Sequence, residues 1–406
     1  MELRSLLAAV EEAAPLNAVE VLAGALADEV GAHRVGLLIA DLSGDAVIRL
    51  SHVAGSAATA GRNERGEVLL LEGTVYEQVL RTQEVTVVAE GDGWMVLVPV
   101  TERGDTIGVL EVSLADRPGP DGLELLIGAG HALAYVLIAV RRHTDLFEWG
   151  QRNTPFSVSA EIQRRLLPAA YTAETGPVTV AGWLEPSHTA GGDTFDYSVD
   201  REYLYCSLTD AVGHSTEAAL LATLTVAAFR NRRRGLGGPS QQADTAEAEL
   251  GAHARPDQFV TGLVARLHLT DGTVDIVNAG HPPPYLIRDG QAKTVDLSIN
   301  PPLGSGLVGP NGYQTDTLRL QPGDRLVMVT DGYLERRAEM LAIEPILAAG
   351  GDHHPRQVVR DLARSVLQAT GGRLLDDATA LCVDYHGPGR RRHAIGGADP
   401  SLSPDT

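Results

Sequence analysis

The chain has 406 residues, enough for two or three domains, and 44% of them are hydrophobic, enough to support real cores. Its formal net charge of −20 argues against a nucleic-acid partner, because duplex binding needs clustered Arg and Lys to displace counterions. Excess carboxylates suit divalent cations, although most of them are solvated surface. Cys206 and Cys382 sit inside the apolar runs YLYCSL and ALCVDY, which makes no disulfide framework and fits a reduced, cytoplasmic interior.

Residues 1–33 show helical periodicity, with Leu6, Leu7 and Val10, then Val19, Val21, Leu22, Leu26 and Val30, on repeating faces. The period then changes to short β-rich runs at 35–42, 46–53, 84–90, 93–101 and 105–114. DRPGPDG at 116–122 interrupts them, and an apolar helix is expected over 123–148. The first start, MELRSLLAAVEEAAP, lacks the basic region of a secretory signal. LLIGAGHALAYVLIAV at 125–140 is the most membrane-like stretch, yet it is short and interrupted by His131. It reads as a buried helix or a helix–helix interface rather than a membrane span. Residues 1–150 therefore form one α/β unit ending in a long connecting helix. Its IGVLEV run followed by a helix resembles a GAF domain. That resemblance implies a regulatory sensor that takes a small ligand, although no stretch matches the cyclic-nucleotide-binding members.

The second unit, 151–386, opens on a helix at 157–167 ended by Pro168. Strands alternate with turns over 177–210, and a strong helix occupies 215–234, with another at 241–253. Strands return at 258–268, 272–278, 283–288 and 316–330, helices at 338–348 and 355–369, and a last strand at 378–385. The tail 387–406 is poor in apolar residues and is expected to be disordered. The whole reads as α+β.

Chemistry concentrates where strands end on acids. TFDYSV and EYLYCSLT flank Asp200-Arg201, a plausible tight turn. A hairpin turning near 201 and 202 makes Asp193 and Asp210 cross-strand partners, with Cβ atoms about 5 Å apart. Like charges so placed destabilise a sheet, unless a cation lies between them or one acid is protonated. RLVMVTDGYLE stops at Asp331, and LLDDATALCVDY opens on Asp376 and Asp377. Hard oxygen ligands suit Mg²⁺ or Mn²⁺. Two such ions close together generate hydroxide near neutral pH and clamp an in-line phosphoryl displacement.

AEIQRRLLP, GGDTFD, TDAVGH, DQFVTGLVARL, NAGHPPPYLI, PPLG, PGDRLVMVTDGYLE and DDATAL follow one another over roughly residues 156–385. In that order they resemble the bacterial SpoIIE-type, PP2C-like serine/threonine phosphatases. The resemblance implies two packed antiparallel sheets flanked by helices, with two Mn²⁺ or Mg²⁺ ions at one edge. It implies Asp210 as the acid bridging both ions, Ala211 as a carbonyl ligand, Asp193 near the second ion and Asp331 on the first. Asp376 is the favoured ligand of the DDAT pair, with Asp377 beside it. It further implies direct attack of a metal-bridging water on phosphoserine or phosphothreonine. The implied partner is a phosphorylated signalling protein such as an anti-sigma-factor antagonist, and a homodimer is expected through the N-terminal unit.

Two departures stand out. Gly213-His214-Ser215 replaces the family's glycine-flanked turn, and Val212 stands where eukaryotic relatives carry a histidine. His214 is left without a role. Singly, each acid also reads as a solvated turn residue. His281 in NAGHPPP reads as structural, His353 and His354 as surface, and the arginines at 230–234 as complements of a helix dipole. The helix at 157–167 reads equally as an amphipathic core helix or as a switch. The rival function is a non-catalytic signalling module that binds phosphoprotein or reports a ligand of the GAF-like unit.

Overall fold

The computed structural model describes residues 3–41, 44–50, 66–145, 147, 157–187, 191–213, 216–255, 257–334, 342–372, 374–394 and 396–402. The chain divides into two units, one of residues 1–155 with 393–406, the other of residues 156–392.

The first unit is a six-stranded antiparallel sheet with helices on both faces. Its elements are α1 (Leu3–Glu12), α2 (Ala18–Val30), β1 (Arg34–Ala40), β2 (Ala46–Arg49), β3 (Glu67–Leu70), α3 (Val75–Thr82), β4 (Thr86–Glu90), β5 (Gly93–Glu102), β6 (Asp105–Leu114) and α4 (Pro120–Val140). The strand order is β3-β2-β1-β6-β5-β4. Burial on both faces explains why β5 and β6 read as nearly continuous apolar runs. Val96, Val98 and Val100 pack with the residues of α2 and α4, while Leu97 and Val109 pack with Val79 and Leu80 of α3. Arg103 and Gly104, both at positive φ, turn β5 into β6, the conformation a two-residue hairpin loop prefers. The strand β3 and the helix α3 were not foreseen.

Helix α4 is the one helix among the described residues long and apolar enough to cross a membrane by length and composition. Leu126, Ala129, Leu133, Ala134, Leu137 and Val140 are buried in the core of this unit. At Gly130 a Cβ would stand 2.7 Å from the Val98 side chain, so glycine lets the helix close on β5. The helix ends at Val140, not at 148, and residues 141–143 form a turn. Its apolar stripe stops there, where Arg141, Arg142 and His143 begin.

The tail is not disordered throughout. The Gly104 N–H donates to the Gly397 carbonyl at 3.0 Å, Ala398 and Asp399 are buried, and a short 3-10 turn spans Pro400–Leu402. Gly397 has φ of 98°, and a Cβ there would meet the Thr101 carbonyl oxygen at 1.9 Å. Backbone hydrogen bonding and glycine contact dock this segment without the apolar side chains whose scarcity suggested disorder.

The second unit comprises α5 (Val158–Leu166), β7 (Thr172–Glu174), β8 (Val178–Glu185), β9 (Thr194–Val199), β10 (Tyr203–Ala211), α6 (Thr216–Arg234), α7 (Pro239–His253), β11 (Val260–His268), β12 (Thr273–Ala279), β13 (Tyr285–Arg288), β14 (Gln291–Thr294), β15 (Ile299–Asn300), β16 (Asp316–Arg319), β17 (Arg325–Val329), α8 (Ile343–Ala349), α9 (Pro355–Thr370) and β18 (Ala378–Tyr385). One sheet runs β15-β12-β11-β10-β9 with β16 on β12, and the other runs β14-β13-β17-β18-β8-β7. Phe195, Leu204, Leu208 and Leu263 of the first sheet meet Val180, Met328, Leu381 and Val383 of the second in one core. Helices α6 and α7 cover the outer face of the first sheet, and α8 and α9 that of the second. The unit is thus a four-layered sandwich, as the resemblance to the SpoIIE-type phosphatases implied. His354 departs from the surface reading. It is 4% exposed, its Nδ1 caps α9 by accepting the Arg356 N–H, and its Nε2 lies 3.1 Å from Glu174.

Candidate active site at the strand ends

The β9–β10 hairpin pairs Val199 with Leu204 and Thr194 with Thr209. The ladder continues past the last strand residue, since the Ala211 N–H donates to the Gly192 carbonyl at 3.4 Å. Asp193 and Asp210 therefore face one another in the register the turn implied. Asp193 is 1% exposed, whereas Asp210 reaches solvent in part.

The glycines around these acids answer to close approach. At Gly191 a Cβ would stand 2.8 Å from Asp377 Oδ2 and 3.1 Å from Asp376 Oδ1, and at Gly192 it would stand 2.5 Å from the Ala211 carbonyl. At Gly332 it would meet the Asp377 carbonyl oxygen at 2.0 Å. The doublet before Asp193 and the glycine after Asp331 thus bring three chain segments into backbone contact. Asp331 is exposed and opens a 3-10 turn, Asp331–Tyr333, at the end of β17. Asp376 is partly exposed, just ahead of β18.

Asp193 is held by two threonines that the sequence reading passed over. Thr330 Oγ1 and Thr379 Oγ1 donate to its Oδ2 at 2.8 and 2.7 Å, and the Thr379 N–H donates to Thr330 Oγ1 at 2.9 Å. Each stands beside an acid motif, in TDGY and DDAT. Gln163 of α5 was also missed as a site residue. It is 2% exposed, and its Nε2 donates to the Asp193 carbonyl at 2.9 Å and to Asp377 Oδ2 at 2.6 Å. Arg230 of α6 donates to the Leu166 carbonyl at the end of the same helix and, through two nitrogens, to Asp196. Arg233 joins it on Asp196 at 2.6 Å. Two of the arginines read as dipole complements therefore tie α5 and α6 to β9.

Asp377, expected beside Asp376 as a metal ligand, has both carboxylate oxygens engaged in hydrogen bonds. It is 1% exposed, and its oxygens accept from Gln163, from the Ser187 N–H at 2.7 Å and from the Gly191 N–H at 3.1 Å. Its carboxylate fastens α5 and the loop before Asp193, leaving Asp376 as the more open acid of the pair. His281 is buried, shares a hydrogen bond with Thr261 Oγ1 and is clasped by Asn278 through both its N–H and its carbonyl. Burial pushes its imidazole down to about 4, so it is a neutral structural group. His214 lies outside the described residues.

The electrostatics follow from this crowding. Burial, then the charges of Asp331 and Asp376, push Asp210 up to about 7. Burial and the charges of Asp210 and Asp377 hold Asp193 well above the usual carboxylate range, against the two threonine hydroxyls. Burial raises Asp331 as well. Four acids from distant sequence thus share one strand-end region, and the charges acting most on Asp193 and Asp210 are carboxylates. Among the described residues, no three Asp, Glu, His or Cys side chains are grouped closely enough to hold an ion as they stand. The all-oxygen donor set, with repulsion that a cation would relieve, nevertheless fits Mg²⁺ or Mn²⁺ in chemistry.

Comparison with known proteins agrees with this unit. The family model described as stage II sporulation protein E (SpoIIE) matches residues 200–386. That match lies within the C-terminal unit, which is similar there to a SpoIIE-type domain. The phosphoserine phosphatase RsbP of Bacillus subtilis (strain 168) is 22% identical over 218 residues, covering 51% of this chain and 52% of that protein. Protein IcfG of Synechocystis sp. is 21% identical over 211 residues, 44% of this chain and 32% of its own length. This chain therefore spans about half of RsbP and about a third of IcfG. Among solved structures, the RsbU and RsbW domains of Rv1364c from Mycobacterium tuberculosis align with a TM-score of 0.48 at 25% identity, over 54% of this chain and 63% of that one.

Proposed function

We propose that this chain is a protein serine/threonine phosphatase that uses two divalent cations, Mn²⁺ or Mg²⁺, under the control of a GAF-like N-terminal unit. The observation that carries the reading is the meeting of Asp193, Asp210, Asp331 and Asp376 at one edge of the sandwich, with charges on Asp210 that are chiefly other carboxylates. Asp210, Asp193, Asp331 and Asp376 would hold the cations, with the Ala211 carbonyl on one of them. Bound there, the cations would supply activated water and neutralise phosphoryl oxygens.

The chain's own residues set the conditions. Thr330 and Thr379 fix the orientation of Asp193, and Gln163 with Asp377 fixes the loop that carries it. Below about pH 7 Asp210 keeps its proton and competes with a cation for the same oxygens. Gln163 also supports the switch reading of α5, because any shift of that helix would move the Asp193 carbonyl.

By analogy with RsbP, the substrate is a phosphorylated signalling protein in a partner-switching pathway, such as an anti-sigma-factor antagonist, dephosphorylated in the cytoplasm. Exposed Tyr135 and Ile138 on α4 support a homodimer, and a small ligand of the N-terminal unit would set the activity. The test is hydrolysis of p-nitrophenyl phosphate and of a phosphoserine protein by the full chain with Mn²⁺. Activity should fall to background in Asp210→Ala; a wild type without activity, or a variant equal to it, sinks the reading. The rival, a non-catalytic phosphoprotein-binding module, draws on the lack of a ready three-ligand grouping among the described residues. It requires phosphoprotein binding without turnover.

A further inference from the structure

We infer that the docked C-terminal segment closes a binding site in the N-terminal unit, and that this site takes a small organic cation with an apolar body. The inference deepens the ligand part of the proposed function. Its test reads binding alone, so it stands or falls apart from phosphatase turnover.

A cavity of about 290 Å³ lies on the α4 side of the sheet. Val85 ahead of β4, Val98 and Pro99 of β5 and Ile127 of α4 give it apolar walls. Gly396, Ala398 and Pro400 of the C-terminal segment complete the lining.

The segment is shaped to dock there, yet it is held lightly. The Gly104 N–H donates to the Gly397 carbonyl. Ser401 closes a turn on Asp399, its N–H and hydroxyl donating to Oδ1 at 3.0 and 2.7 Å. Against this, His131 Nδ1 is buried with no hydrogen-bond partner among the described residues, and a Cβ at Gly397 would stand 3.0 Å from it. A buried polar atom left unpaired costs stability, and walls with nothing between them forgo dispersion contacts. The segment is therefore a lid, and a ligand that fills the cavity holds it shut.

Two polar residues line the cavity, and they differ. The Gln83 carboxamide is fully engaged: it donates to the Leu80 carbonyl at 2.7 Å and to Thr106 Oγ1 at 2.9 Å, and it accepts from the Thr101 hydroxyl. The Glu84 side chain is exposed and has neither hydrogen bond nor ion pair among the described residues. Apolar walls with one free carboxylate match an amine carried on an apolar body. An apolar cavity of about 150 Å³ holds benzene, so this one admits a body of about indole size.

Tryptamine is the probe, and indole-3-propionate, with the same ring and the opposite charge, is its control. Each is dialysed to equilibrium against the full chain. Tryptamine should saturate one site, and the acid should bind at least about 10-fold more weakly. Glu84→Gln should weaken tryptamine about 5-fold, as one partly exposed ion pair allows. Ile127→Phe fills the cavity and should abolish binding with the thermal midpoint kept. A chain ending at Arg392 should bind about 10-fold more weakly, because lid and ligand support one another. Saturating tryptamine should slow amide exchange over residues 101–104, where Gly104 donates to the segment. Equal binding of amine and acid, or no loss in Glu84→Gln, overturns the ligand class. Binding that survives Ile127→Phe overturns the site, and unchanged exchange at 101–104 or unchanged affinity after truncation overturns the lid. No saturable binding of tryptamine overturns the whole inference, whatever the chain does to p-nitrophenyl phosphate.

Discussion

Each unit buries an acid, and the two acids differ in what surrounds them. Glu111 on β6 is 1% exposed. It accepts from Arg49 Nε at 3.0 Å and Nη2 at 2.9 Å, and from the Tyr76 hydroxyl. Burial, then Glu111 itself, pushes Tyr76 up to about 12, so the tyrosine stays a donor at any physiological pH. Asp193 is buried as deeply, yet it receives two threonine hydroxyls, no guanidinium among the described residues, and faces other carboxylates. A buried charge answered by a guanidinium belongs to the scaffold. A buried charge answered by more negative charge stores unfavourable energy that a cation can relieve, and that contrast separates framework from site.

Substitutions can break the contrast. Removing the compensated acid should cost most: Glu111→Ala leaves Arg49 with the exposed Glu67 and the Tyr76 hydroxyl and should destabilise the N-terminal unit by about 3 kcal/mol in denaturant unfolding. A cost near zero would place Glu111 with the uncompensated acids. Next in size, Gln163→Ala or Thr379→Val should lower turnover or Mn²⁺ affinity by about 10–100-fold. Little change in the metal-free melting point would mark these as positioning effects, and wild-type kinetics would detach α5 from the site. Gly397→Val forces a side chain into the Thr101 carbonyl and should cost about 1–3 kcal/mol in the N-terminal transition. Faster hydrogen exchange at residues 101–104 should accompany it.

The smallest expected effect carries a sign. Asp210 is raised from 3.8 to about 7, so the metal-free folded state binds its proton more tightly than the unfolded chain does. The stability this contributes is present below about pH 4 and is lost as pH rises through 7. In chelator, the melting point of the C-terminal unit should fall between pH 5 and pH 8, and Asp210→Asn should flatten that fall. Parallel slopes in both proteins would remove Asp210 from the uncompensated class.

What could be read in advance follows from the range of each interaction. The Asp193–Asp210 pairing was legible because hairpin register is a local property, set by the turn at 201 and 202. The strand ends at Asp331 and Asp376 were legible as breaks in apolar runs. Their convergence was not, because it depends on β17 pairing β18 and on backbone contacts admitted by Gly191, Gly192 and Gly332. It entered only through resemblance. Gln163 looked like one polar residue in an amphipathic helix, since its partners Asp193 and Asp377 lie 30 and 214 residues away. His354 read as surface because nothing nearby in sequence announces Glu174. The early end of α4 at Val140 was legible in principle, where Arg141-Arg142-His143 closes its apolar stripe.

The central claim is that the uncompensated carboxylates are a cation site. Calorimetric titration of Mn²⁺ into the full chain at pH 6 and pH 8, with Asp210→Asn alongside, tests it most directly. The account predicts two bound ions, tighter binding at pH 8 than at pH 6 because Asp210 must lose its proton, and loss of most of the heat in the variant. Absence of binding at both pH values, or equal binding by the variant, would contradict it.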